Sequence, residues 1–131
     1  MEKVEQVIVV DDDATNNLIC ESVIKKIGLS DKVLSFTLAQ NALLYLQEKI
    51  DTKDFPAIIF LDINMIDLDG WDFIQQYRAL IDKKAMKSPA KIFMITSSID
   101  QADQQKAANI DLVSGFIVKP FTEERVRKVL K

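Results

Sequence analysis

The chain has no histidine in its 131 residues. That absence excludes a His-based catalytic dyad, a His metal site and a phosphohistidine carrier within it. Cys20 is the single cysteine, so no disulfide framework is available and a reducing, cytoplasmic setting fits best. Three glycines and three prolines are too few for a loop-rich or disordered chain. A net charge of −3 gives no electrostatic case for nucleic-acid binding. The longest apolar runs fall far short of the roughly 20 residues that cross a bilayer, and no stretch reads as a signal peptide, so no membrane partner is expected. What is present is 48% apolar residues, enough for one well-filled core. A single domain over 1–131 is expected, without linker, repeat or low-complexity segment.

Hydrophobic spacing divides the chain into alternating elements. Val7-Ile8-Val9-Val10 reads as a first strand, and Val33–Phe36 as a second. Ile58-Ile59-Phe60-Leu61 is an unbroken apolar run, as expected of a strand buried on both faces of a parallel sheet. Lys91–Ile95 and Gly115–Val118 supply two more strands. Between them, Ile19, Cys20, Val23, Ile24 and Ile27 form one helical stripe, with Gly28 as its stop. Ala39, Ala42, Leu43, Leu46 and Ile50 form a second, and Phe73, Ile74, Tyr77 and Ile81 a third, after the turn signal Asp69-Gly70. A polar helix is expected near 100–109. A last helix should carry Val126, Val129 and Leu130, with Thr122 as cap. Five strictly alternating βα units predict a flavodoxin-like α/β fold, (βα)5, with a five-stranded parallel sheet of order 2-1-3-4-5 and helices on both faces.

In such sheets, chemistry collects at the carboxyl ends of the strands. Strand one ends in Asp11-Asp12-Asp13, strand three in Asp62, strand four in Thr96 and strand five in Lys119. Carboxylates crowded together repel and raise one another's pKa unless a cation joins them. Mg²⁺ suits this set, since it takes one or two carboxylates, keeps waters and accepts a phosphate oxygen. An aspartate beside it can attack phosphorus and form an acyl phosphate. The lysine ammonium and the threonine hydroxyl can then compensate charge on the transferring oxygens. Asp13 reads mainly as a helix cap, Cys20 as an inert buried thiol and Trp71 as a packing residue.

These motifs resemble those of the response-regulator receiver domain of two-component signalling, including its stand-alone chemotaxis type. The resemblance runs from about Val7 to Leu130. It rests on the acidic cluster, on Asp62-x-Asn64-Met65-x-x-x-Asp69-Gly70, on Thr96-Ser97 and on Phe116-Ile117-Val118-Lys119-Pro120-Phe121. It implies a phosphorelay switch in which Asp62 accepts a phosphoryl group from a histidine kinase or histidine phosphotransfer protein. Asp12, with Asp11 acting through water, Asp62 and the carbonyl of Asn64, would hold Mg²⁺. Thr96 and Lys119 would assist the transfer, and Thr96 with Phe116 would switch. Asn64 and Ser98 would set the lifetime of the acyl phosphate. The Lys119-Pro120 bond would be cis. Output would pass to an unidentified downstream partner through the helix 4–strand 5–helix 5 face. The chain would be no enzyme beyond its own phosphorylation and dephosphorylation. It would be a monomer, with dimerisation left open for the phosphorylated form. With no effector segment after Lys131, the output is expected to be a partner protein or a further transfer; a fragment of a hybrid kinase also fits. One departure stands out: Ile66 occupies a position that is usually proline in the family.

Other classes fit less well. An aspartyl-phosphate phosphatase of the haloacid-dehalogenase kind places its nucleophile after strand one, with a second aspartate two residues on, where this chain has Asn64. A pseudo-receiver would lack some of the key residues, and all are present. A flavin-binding domain needs a Ser/Thr/Gly-rich loop after strand one. An EF-hand centred on Gly70 would end in Gln76 instead of Glu. Leu18 falls off the predicted stripe, on the first helix near the acidic cluster, and is a candidate for docking a phosphodonor.

Overall fold

Alternating short apolar runs and amphipathic segments fold here into one sheet with helices on both sides. A computed structural model describes residues 2–97 and 100–130. The elements are β1 (Val7–Val10), α1 (Ala14–Lys26), β2 (Val33–Phe36), α2 (Ala39–Lys49), β3 (Ile58–Asp62), α3 (Gly70–Lys83), β4 (Lys91–Thr96), α4 (Gln101–Ala108), β5 (Val113–Val118) and α5 (Glu123–Leu130). All strand pairs are parallel and the order is β2-β1-β3-β4-β5, the flavodoxin-like arrangement expected from the sequence. β1 and β3 lie side by side with Val10 opposite Leu61, so the residues after them, Asp11 and Asp62, emerge at the same edge.

Strand alternation divides the core in two. Val7, Val9, Phe60, Phe93, Ile95 and Ile117 point to the side of α1 and α5, where Cys20, Ile24 and Val126 meet them. Ile8, Val10, Ile59, Leu61, Ile92 and Met94 point to α2 and α3, against Leu46, Phe73 and Tyr77. Phe60 anchors the first core, edge-on to Phe121 at 5.2 Å between centroids. Among the described residues, no helix is long and apolar enough to cross a membrane.

The α1 stripe differs from its expected register. Ile19 is 45% exposed, whereas Asn17 is buried with Cys20 and Ile24. The asparagine is tolerated inside because its Nδ2 donates to the carbonyls of Asp11 (3.0 Å) and Phe36 (3.4 Å). It thereby ties the start of α1 to the ends of β1 and β2. β5 begins at Val113, two residues before the expected start, with an irregularity in register opposite Ile92 and Phe93.

Candidate functional site

Four strand ends converge on one rim. Asp11 is fully buried there and Asp62 is 4% exposed, while Asp12 is half-buried. Carboxylate oxygens of Asp11, Asp12 and Asp62 all lie within 4.8 Å of one another. The Lys119 ammonium bridges two of them, 3.2 Å from Asp11 Oδ2 and 3.5 Å from Asp62 Oδ2. Its backbone is fixed too: Lys119 N–H donates to the carbonyl of Thr96 at 2.7 Å, and the Lys119-Pro120 bond is cis as expected. Thr96, buried, closes β4 beside Asp62, which pairs in register with Ile95.

Each carboxylate is oriented separately. Asp11 Oδ1 accepts from the Asp13 N–H (2.9 Å) and Oδ2 from Asn16 Nδ2 (2.5 Å). Asp62 Oδ1 accepts from the Asn64 N–H at 3.2 Å. Asp13 caps α1, accepting from the N–H groups of Thr15 and Asn16, which is the role the sequence assigned to it. Asn16 and Asp67 were not singled out in the sequence. Asn16 lies one helical turn from the acidic cluster, a spacing that could have flagged it. Ser98 falls outside the described residues. Phe116 is half-buried on β5, paired in register with Met94 and packed against the core.

The electrostatics follow from this crowding. Burial, and next the charge of Asp11, push the Asp62 carboxyl up to about 6, against the opposing pull of Lys119 and the Asn64 N–H. Lys119 loses some stability as a cation through burial, but Asp11 and Asp62 outweigh that and hold it above the ordinary lysine range. Cys20 is pushed up to about 12 by burial and by Asp11, so it is a protonated, inert thiol at neutral pH. Three carboxylates against one ammonium leave unbalanced negative charge, and the donors are all hard oxygens. Mg²⁺ fits that donor set. A carboxylate so placed beside a cation meets an electrostatic requirement for nucleophilic attack on phosphorus.

Gly70 supports the site from beneath. Its N–H donates to the Ile63 carbonyl at 2.7 Å. A Cβ there would stand 2.9 Å from Ile63 Cα, 3.0 Å from Met94 Cε and 3.1 Å from the Asp62 carbonyl oxygen. Two of those three atoms are backbone and cannot rotate away. Gly70→Ala is therefore expected to cost about 1–3 kcal/mol, read as a lower midpoint in thermal unfolding. An unchanged midpoint would show that the loop yields freely.

The response regulator receiver domain family matches residues 7–131 of the chain. A chemotaxis protein CheY1 of Helicobacter pylori is 30% identical over 126 residues, covering 96% of this chain and 94% of that protein. A probable transcriptional regulator ycf27 of Pyropia yezoensis is 30% identical over 131 residues, and the chain spans about half the length of that relative (48%). Among solved structures, a two-component response regulator from Cytophaga hutchinsonii superposes with a TM-score of 0.87 at 27% identity, over 98% of this chain and 96% of that one. A receiver protein from Dyadobacter fermentans superposes at 0.81 with 30% identity, over 97% and 95%.

Proposed function

The chain belongs to the response regulator receiver family, and from that premise we propose that residues 1–131 act as one receiver domain whose Asp62 is the phosphoacceptor. The observation that carries this reading is Asp62 itself: a buried carboxylate within reach of two others and of one ammonium. In the transfer, an Asp62 oxygen forms a bond to phosphorus while the P–N bond of a phosphohistidine breaks. The electron pair leaves on the donor's imidazole nitrogen, which takes a proton. In the separate dephosphorylation step, water attacks phosphorus, the bond from phosphorus to the Asp62 oxygen breaks and Asp62 leaves as carboxylate. Inorganic phosphate departs with the water's oxygen, while the water's protons stay on it or pass to solvent. When bound, Mg²⁺ neutralises charge on the phosphoryl oxygens. Asp11, Asp12, Asp62 and the Asn64 carbonyl would hold it. Lys119 compensates the remaining charge and positions the phosphoryl group; Thr96 donates a hydrogen bond to it. Asn64 and Ser98 govern the access of water. On this reading the chain modifies only itself, in the cytoplasm.

The test is intact-mass spectrometry after incubation with acetyl phosphate. A gain of one phosphoryl group with Mg²⁺, and none with a chelator, is expected. Transfer adds roughly one further negative charge at Asp62, which biases a two-state equilibrium through Thr96 and Phe116. Two clefts flanking β5 support this output route. One, of about 590 Å³, is lined by Phe116, Val118, Arg125 and Val129. The other, of about 280 Å³, is lined by Gln104, Ala107, Ser114 and Phe116. Phe116 borders both, so its reorientation would reshape the α4–β5–α5 face that a downstream partner meets.

Leu18 is 67% exposed on α1, beside the exposed Ile19. If this patch docks the histidine kinase or phosphotransfer donor, Leu18→Ser should slow transfer from the protein donor by about tenfold. The rate with acetyl phosphate, which needs no docking, should not change. Equal slowing with both donors would place Leu18 in the fold and not in the interface.

A further inference from the structure

α2 begins without an acceptor of its own. Its N-cap position is Leu38, in the extended conformation usual for a cap (φ −121°, ψ 128°), but an apolar side chain offers nothing to the free N–H groups. The other helices take local caps: Asp13 for α1, Asp69 for α3, Asp100 for α4 and Thr122 for α5. At α2 the caps come from across the rim. The Ala39 N–H donates to Asp67 Oδ1 at 3.1 Å and the Gln40 N–H to Asp67 Oδ2 at 3.0 Å. Asp67 belongs to the loop joining β3 to α3, the same loop that carries Asn64. Burial, the largest single influence, raises its carboxyl, but the Gln40 and Ala39 N–H groups, with those of Asp67 and Leu68, together outweigh it and hold the group below the usual carboxylate range. The loop is closed at its far end by Asp69, which accepts from the Asp72 N–H, and by the Gly70–Ile63 bond. In the middle, Ile66 is 86% exposed, so its side chain anchors nothing there, and residues 63–69 contain no proline to stiffen the loop.

We propose that Asp67 is a positioning residue: by capping α2 from the β3–α3 loop it fixes that loop, and with it the backbone of Asn64 beside Asp62, so that α2 and the acidic site are mechanically joined. The consequence for metal rests on the reading of Asn64 as a ligand; the tether itself does not. A single carboxylate here stands in for two devices, a local cap on α2 and a rigid residue in the loop.

Four variants separate these roles. Asp67→Ala should lower the thermal midpoint and weaken Mg²⁺ binding by about tenfold, the low end for residues that support metal ligands, measured calorimetrically. Asp67→Asn, which keeps an acceptor oxygen but no charge, should retain most of the affinity. Leu38→Ser restores a local cap to α2. In the double variant with Asp67→Ala it should recover the thermal midpoint and leave the Mg²⁺ affinity weak. Ile66→Pro in the Asp67→Ala background should do the opposite, recovering affinity more than stability. Amide hydrogen exchange over 64–68 in metal-free protein reads the tether directly, and should be faster in the Leu38→Ser/Asp67→Ala double variant than in wild type. If that variant recovers both affinity and slow exchange, Asp67 is only a helix cap and the proposal is wrong. If wild type binds no Mg²⁺, the reading of the site fails instead, and the exchange data still decide whether Asp67 holds the loop.

Discussion

Asp62→Asn should take up no phosphoryl group from acetyl phosphate and Mg²⁺, where the wild type gains one. The expected effect is complete, because an amide oxygen is a poor nucleophile and cannot leave a stable acyl phosphate. The change is also close to isosteric. Asparagine keeps an oxygen to accept the Asn64 N–H, now at 3.2 Å from Asp62 Oδ1. Lys119 keeps Asp11 as its partner at 3.2 Å. Loss of phosphorylation would therefore not reflect loss of the fold, and a circular dichroism spectrum superimposable on wild type should accompany it. A phosphoryl group that persists in the variant would mean another nucleophile. Asp12 would then be the foremost candidate, since Asp11 is fully buried and held by Asn16 and Lys119. A wild type that binds Mg²⁺ but gains nothing would point to a pseudo-receiver, or to a domain that accepts phosphate only from its own protein donor.

The sequence carried much of this site because its residues sit at strand ends. A run such as Ile58–Leu61 that stops at an aspartate marks both the strand and the edge where it surfaces, and the parallel order then brings Asp11, Asp12, Asp62 and Lys119 together. Period alone misled at Ile19. The apolar spacing placed it inside, yet the face that turns inward carries Asn17, since a buried amide with two carbonyl partners can occupy a core position. Asp67 was illegible for a related reason. Its partners, Ala39 and Gln40, are 28 and 27 residues away, and capping rules read only the few residues that precede a helix. The clue was negative: a leucine stands where α2 needs an acceptor. Asn16 reaches Asp11 from the first turn of α1, only five residues on, so there local spacing held a clue.

Without metal, the wild type should become less stable relative to Asp62→Asn as pH rises from about 4 to about 6. The sign follows from the direction of the shift. Asp62 ionises near 3.9 in an unfolded chain and at about 6 in the folded protein. Below about pH 4 it is protonated in both states and the buried group costs nothing extra. Between the two values the folded state holds the proton more tightly, so each rise in pH removes stability. Above about 6 the full penalty is present, on the order of 3 kcal/mol for a shift of about two pKa units. That corresponds to a deficit on the order of 10 °C in thermal midpoint for a domain of this size. Groups that titrate in both proteins, Asp67 among them, cancel in the difference. Mg²⁺ should reverse the deficit at pH 7, adding about 2.7 kcal/mol at a hundredfold excess over its dissociation constant. It should do little at pH 4, where it must displace the Asp62 proton to bind. Asp62→Asn, lacking that carboxylate, should respond weakly at both pH values. Thermal midpoints of the two proteins across this range, with chelator and with Mg²⁺, check the prediction. Parallel curves would mean that Asp62 carries no buried-charge penalty, and that the repulsion with Asp11 is already relieved by Lys119.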